Sequence, residues 1–184
     1  MNAGIISSRY AKAFLKYVQE DGVGDSVYSQ SRLILQMMTH LPKLKEYLEN
    51  SLDVSFDKKV ALLSACLDSP LEPSIIRFLK MVTEHRRTEY FSRMLLSFIE
   101  QYRKANNILV GSLVTAVEND ALRERLEKIF HDKTGAQVHF SETVDNNLIG
   151  GFVFELEGYR LDASVEGHLE RIRRQLVEKN NRIV

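Results

Sequence analysis

Apolar residues in the first hundred positions recur at i, i+3, i+4 and i+7, the spacing of one helix face. Ile6, Tyr10, Ala13, Phe14, Tyr17 and Val18 make one such stripe, which Asp21-Gly22 stops. A second helix is predicted over Asp25 to His40, with Val27, Ile34, Leu35 and Met38 inward. Pro42 opens a short third helix carrying Leu44, Tyr47 and Leu48. Ser55 is a natural N-cap for a fourth, because its hydroxyl accepts a first-turn N–H, and Phe56, Val60, Leu63 and Leu67 follow it. Pro73 suits the first turn of a fifth, where its missing N–H costs nothing; Ile75, Ile76, Leu79 and Val82 lie behind it. A sixth stripe runs through Phe91, Met94, Leu95, Phe98 and Tyr102.

The rhythm changes at Asn106-Asn107. Ile108 to Val117 is β-branched and apolar on both faces, the pattern of a central strand. Asn119 or Asp120 caps a helix with Leu122, Leu126, Ile129 and Phe130, and Gly135 closes it. Val138 and Phe140 alternate with Gln137 and His139 in a second strand. Phe152, Phe154 and Leu156 share one side of a third, which Glu157-Gly158 turns into a hairpin with Tyr159 to Ala163. Ser164 caps a terminal helix with Val165, Leu169, Ile172 and Leu176 in line. The expected fold class is α+β in two domains: an N-terminal six-helix bundle over 1–105, then a small mixed α/β domain over 106–184.

Charge adds little to this picture. Twenty-five basic residues balance twenty-five acidic ones, with 15 and 12 in the first domain and 10 and 13 in the second. Neither half is an electrostatic lure for nucleic acid or anionic lipid. No apolar stretch approaches the roughly 18–20 residues of a membrane span, and Met1 to Tyr10 has no secretory-signal pattern. The single Cys66 lies between Leu63 and Leu67 on a helix and reads as a small buried hydrophobe.

Chemistry is sparse. The five histidines are scattered, and none forms an i, i+4 pair beside a carboxylate, so no metal site is expected. Phe152 and Val153 follow Gly150-Gly151 where a phosphate loop needs lysine and a hydroxyl; the glycines read as a bulge or close backbone approach within a strand. Arg171, Arg173 and Arg174 are interleaved with acidic residues such as Glu170, and no aromatic platform accompanies them. No catalytic residue and no cofactor are expected.

Three stretches carry a specific resemblance. Ser8-Arg9-Tyr10-Ala11-Lys12-Ala13-Phe14 resembles the first-helix motif of ATP synthase delta subunits and of their mitochondrial relative, the oligomycin-sensitivity-conferring protein. Ile76 to Tyr102, with Arg87 at its turn, is similar to that family's fifth and sixth helices. Val144 to Phe152, continued by Leu161-Asp162-Ala163-Ser164-Val165 and Leu169-Glu170-Arg171-Ile172, resembles its C-terminal signature. Glu166 and His168 depart from it, standing where basic residues are common.

The resemblance implies a non-catalytic stator subunit at the cytoplasmic face of the cell membrane, peripheral and not inserted. Its first domain would hold the N-terminal helix of an ATP synthase alpha subunit, and its second the peripheral-stalk b subunit. For the alpha-subunit helix the expected groove lies between the first and fifth helices, with Ile6, Tyr10, Ala13 and Phe14 on one wall and Ile75, Leu79 and Val82 on the other. For the stalk the expected contacts are Ile172, Leu176 and Val177, with the hairpin face. The alternative reading is a free-standing helical adaptor or RNA-binding bundle.

Overall fold

The structure, a computed structural model, describes residues 3–49, 54–67 and 69–180. The fold is α+β. Its contacts divide it into two compact units, Met1–Ala105 and Asn106–Val184.

The described residues of the first unit form α1 (Ala3–Asp21), α2 (Gly24–His40), α3 (Pro42–Glu49), α4 (Phe56–Leu67), α5 (Pro73–Glu84), a 3-10 turn (Thr88–Tyr90) and α6 (Phe91–Ala105). Helices α1, α5 and α6 meet in one aromatic core, to which α5 brings Phe78, a residue outside its predicted stripe. Phe14 of α1 stacks on Phe78 of α5 at 4.2 Å between centroids and tilts against Phe98 of α6 at 4.8 Å. Such ring pairs add about 0.5–1.5 kcal/mol to the area they bury. Tyr102 at the end of α6 stacks on Tyr28 of α2 and donates a 2.8 Å hydrogen bond to Asp25 Oδ1. Burial first, and then this carboxylate, pushes the Tyr102 hydroxyl up to about 12.

Helix α4 turns differently from its apolar pattern. Leu63 is buried, but Phe56, Val60 and Leu67 are only half-buried, and the second fully covered side chain is Lys59. Lys59 Nζ donates a 2.8 Å hydrogen bond to Leu48 O at the end of α3, so the ammonium satisfies a carbonyl that α3 leaves open. Burial holds its pKa below 10.5. Below the folded pKa the cost of burying the charged form is present in full; it is relieved as pH rises from there to 10.5. The unfolding free energy of the native chain is therefore expected to gain on that of Lys59→Met across this window. Parallel pH profiles in urea denaturation would remove Lys59 from the account.

The second unit contains β1 (Ile108–Thr115), α7 (Asp120–Thr134), β2 (Gln137–Val144), β3 (Phe152–Leu156), β4 (Tyr159–Asp162) and α8 (Val165–Asn180). The strand order is β2-β1-β3-β4, with β1 parallel to β2 and antiparallel to β3. Asn119, not Asp120, caps α7, its Oδ1 accepting from Leu122 N at 3.0 Å, and Gly135 at φ 66 closes the helix.

One sheet face is covered. Leu113, Leu126, Val138, Phe140 and Leu156 form its core, with Phe130 and Phe154 packed against them. On the other face Ile108 is buried at the start of β1, Val110, Val114 and Val153 are half-buried and Ser112 is exposed. Strand β1 is thus central by pairing and covered fully on one side alone. Glu157 and Gly158, both at positive φ, make the two-residue turn between the paired residues Leu156 and Tyr159.

Gly150 and Gly151 precede β3 and do not sit within a strand. The close approach is real at Gly151, where φ is +83 and an added Cβ would stand 2.3 Å from Ala163 O. This contact ties the start of β3 to the start of α8, as does the 3.0 Å bond from Val165 N to Gly150 O.

Candidate functional site

The helical unit carries an open groove of about 450 Å³ between the start of α1 and the end of α5. Helix α1 lines it with Ile5, Ile6, Arg9, Tyr10 and Ala13. Met81 and Arg87 face them. Helix α5 ends in a Schellman arrangement: Arg86 N donates to Thr83 O and Arg87 N to Val82 O, each at 3.0 Å. Arg86 occupies the left-handed region at φ 53, which costs a non-glycine residue about 1 kcal/mol. The turn places the Arg87 guanidinium 5.4 Å above the Tyr10 ring. His85 meets the same ring edge-on at 6.4 Å, its Nδ1 2.7 Å from Met81 O.

Of the residues assigned to the groove from sequence, Ile6, Tyr10 and Ala13 line it. Phe14, Ile75, Leu79 and Val82 are buried in the core behind it. The strongest apolar positions of an amphipathic helix turn inward, so the groove is built from the shoulder of that stripe. Ile5, Arg9, Met81 and Arg87 were not singled out by pattern for that reason. Ile5 and Arg9 stand i, i+4 on the shoulder, but one is apolar and the other charged.

The second unit presents a different surface. No side chain of α8 from Val165 to Val177 is buried. Leu169, Ile172, Leu176 and Val177 are exposed by 57, 47, 61 and 53%. Ile172, Leu176 and Val177, the sequence-assigned stalk residues, therefore lie on an uncovered apolar helix face. The start of the helix is tightly built. Ser164 Oγ accepts from Gly167 N at 3.0 Å and donates to Asp162 Oδ1 at 2.6 Å. Ser164 N donates to the same oxygen at 2.9 Å. These bonds hold the Asp162 carboxyl below its usual range. Arg171 closes the arrangement from Nη2 to Asp162 O at 3.0 Å.

A family model for the ATP synthase delta (OSCP) subunit matches residues 6–176. An ATP synthase subunit delta from Phocaeicola vulgatus is 35% identical over 185 residues, covering all of both chains. One from Bacteroides thetaiotaomicron is 37% identical over 191 residues, again end to end. The chain belongs to the ATP synthase delta (OSCP) subunit family. A chain of the Toxoplasma gondii mitochondrial ATP synthase hexamer shares the fold, with a TM-score of 0.59 and 20% identity over 93% of this chain and 97% of that one. As a member of this family the chain is a structural, non-catalytic subunit of the ATP synthase. Among the described residues no helix is long and apolar enough to cross a membrane.

Proposed function

We propose that this delta-family subunit is the stator link of the synthase, joining the catalytic head to the peripheral stalk against rotor torque. Its helical unit is the family's six-helix bundle and takes the N-terminal helix of an alpha subunit into the groove beside Tyr10. Its second unit holds the end of the peripheral-stalk b subunit on α8 and the adjoining hairpin. It does so at the cytoplasmic face of the membrane, without inserting and without nucleic acid.

The observation that carries this reading is one uncovered apolar surface in each unit, the groove and the α8 face. Rotation in a membrane motor spins the head uselessly unless the head is fixed. A link that fixes it needs affinity and slow release, and no chemistry. A nanomolar grip corresponds to about −12 kcal/mol, tuned mainly through the off-rate. An apolar helix laid in a groove supplies it. Phe14, Ile75, Leu79 and Val82 support the groove wall from the core and do not meet the partner directly.

Titration with an alpha-subunit N-terminal peptide tests the first half. Tyr10→Ala is expected to weaken binding about tenfold, since it removes half-buried aromatic area at the groove's centre. Unchanged affinity would discard Tyr10 as an anchor.

A further inference from the structure

The groove is apolar along its floor, yet its two charged lining residues have the same sign. Arg9 and Arg87 both reach it, and no carboxylate lines it. The ion pairs recorded among the described residues involve neither. The surroundings lean the same way: α1 carries Arg9, Lys12 and Lys16 and has no acidic residue before Glu20. Across the groove, Arg86 flanks Arg87, and the acids on either side of that turn, Glu84 and Glu89, are both exposed and do not line the groove.

Arg87 is not a loose surface side chain. The two Schellman hydrogen bonds and the left-handed Arg86 fix its backbone, and the Tyr10 ring holds its guanidinium face. A guanidinium stacked on a ring still presents its edge N–H groups, the geometry that takes a carboxylate in a fork.

We propose that the groove selects its helix by charge: the occupant is an amphipathic helix with carboxylates flanking its apolar face, paired with Arg87 and Arg9. This rests on the reading that the groove receives a partner helix and adds what that helix must carry. A helix laid over Tyr10 strips water from Arg87. With a carboxylate opposite, the pair strengthens as water leaves; with a neutral residue, a guanidinium is desolvated without compensation. The same arginine therefore attracts an acidic helix and rejects a neutral or basic one.

The experiment is fluorescence anisotropy of the full-length protein with two labelled peptides. One is the alpha-subunit N-terminal segment from the same genome; the other is that segment with every Asp and Glu changed to Asn and Gln. The native protein is expected to bind the acidic form about tenfold more tightly. Raising salt from about 0.05 to about 0.5 M should shrink that preference. Arg87→Gln should lose about tenfold for the acidic peptide and hold or gain affinity for the neutralised one, whose uncompensated desolvation it removes. Arg87→Lys should keep part of the preference.

Equal binding of both peptides by the native protein would overturn the charge inference while leaving the groove reading intact. So would an equal loss for both peptides in Arg87→Gln, or an alpha-subunit segment without carboxylates. Failure of the native protein to bind either peptide would bring down the groove reading itself.

Discussion

Gly151→Ala is expected to lower the stability of the second unit by about 3 kcal/mol, through two separable effects. An alanine at φ +83 bears about 1–2 kcal/mol of left-handed strain. Its Cβ also meets Ala163 O at 2.3 Å and Ser164 Cα at 2.9 Å, both backbone atoms that no side-chain rotation can move. The start of β3 and the start of α8 must then part, and the Asp162–Ser164 cap lies at that seam. Gly158 supplies the control. It has nearly the same φ, +82, but nothing within 4 Å of an added Cβ. Gly158→Ala should therefore show the strain alone, about 1–2 kcal/mol. Urea denaturation of both variants, followed by hydrogen exchange of β1 amides, separates them. Equal losses would mean that the close approach at Gly151 carries no energy.

Replacing Ile172 and Leu176 together by aspartate should weaken binding of a peripheral-stalk b-subunit fragment about a hundredfold. Each side chain contributes about 1.5 kcal/mol when covered, and the 3 kcal/mol sum corresponds to roughly two decades of affinity. The unfolding curve should stay where it was, because both side chains already stand in water, 47 and 61% exposed. Peptide binding in the groove should also be unchanged. Undiminished affinity for the stalk fragment would remove α8 from the interface.

The elements of the fold were legible because the chain punctuates them in local chemistry. Pro42 and Pro73 begin α3 and α5, Gly135 ends α7, and Glu157-Gly158 makes the hairpin turn. Ser164 caps α8 through the bond its hydroxyl accepts from Gly167 N. What pattern reading cannot register is a polar atom satisfied by a distant backbone. The burial of Lys59 leaves no trace in the apolar pattern of α4, because its acceptor, Leu48 O, lies eleven residues away and in another helix. Cys66 is half-buried, less enclosed than its position between leucines suggested, since α4 points Lys59 and Leu63 inward.

The candidate site was half legible. Periodicity picks out the residues that drop deepest into the core, and for α5 these are Ile75, Leu79 and Val82. A docking groove uses the next positions around the helix, where arginine and methionine serve as well as leucine. Met81 and Arg87 therefore carry no apolar signal. On α8 the opposite holds: with no side chain buried from Val165 to Val177, the apolar stripe of the sequence and the exposed stripe of the structure coincide.

If α8 is the stalk-binding face proposed above, that last feature sets how tightly the stalk can be gripped. Helix α8 is tied down at its first two turns, by Ser164, Asp162 and Arg171, and buries no side chain from there to Val177. A lone segment of its length is marginal in water. Any part of the cost of holding the far turns helical that falls on the moment of binding subtracts from the net affinity. Substitutions at solvent-facing positions that raise intrinsic helicity would tighten the joint without touching the partner.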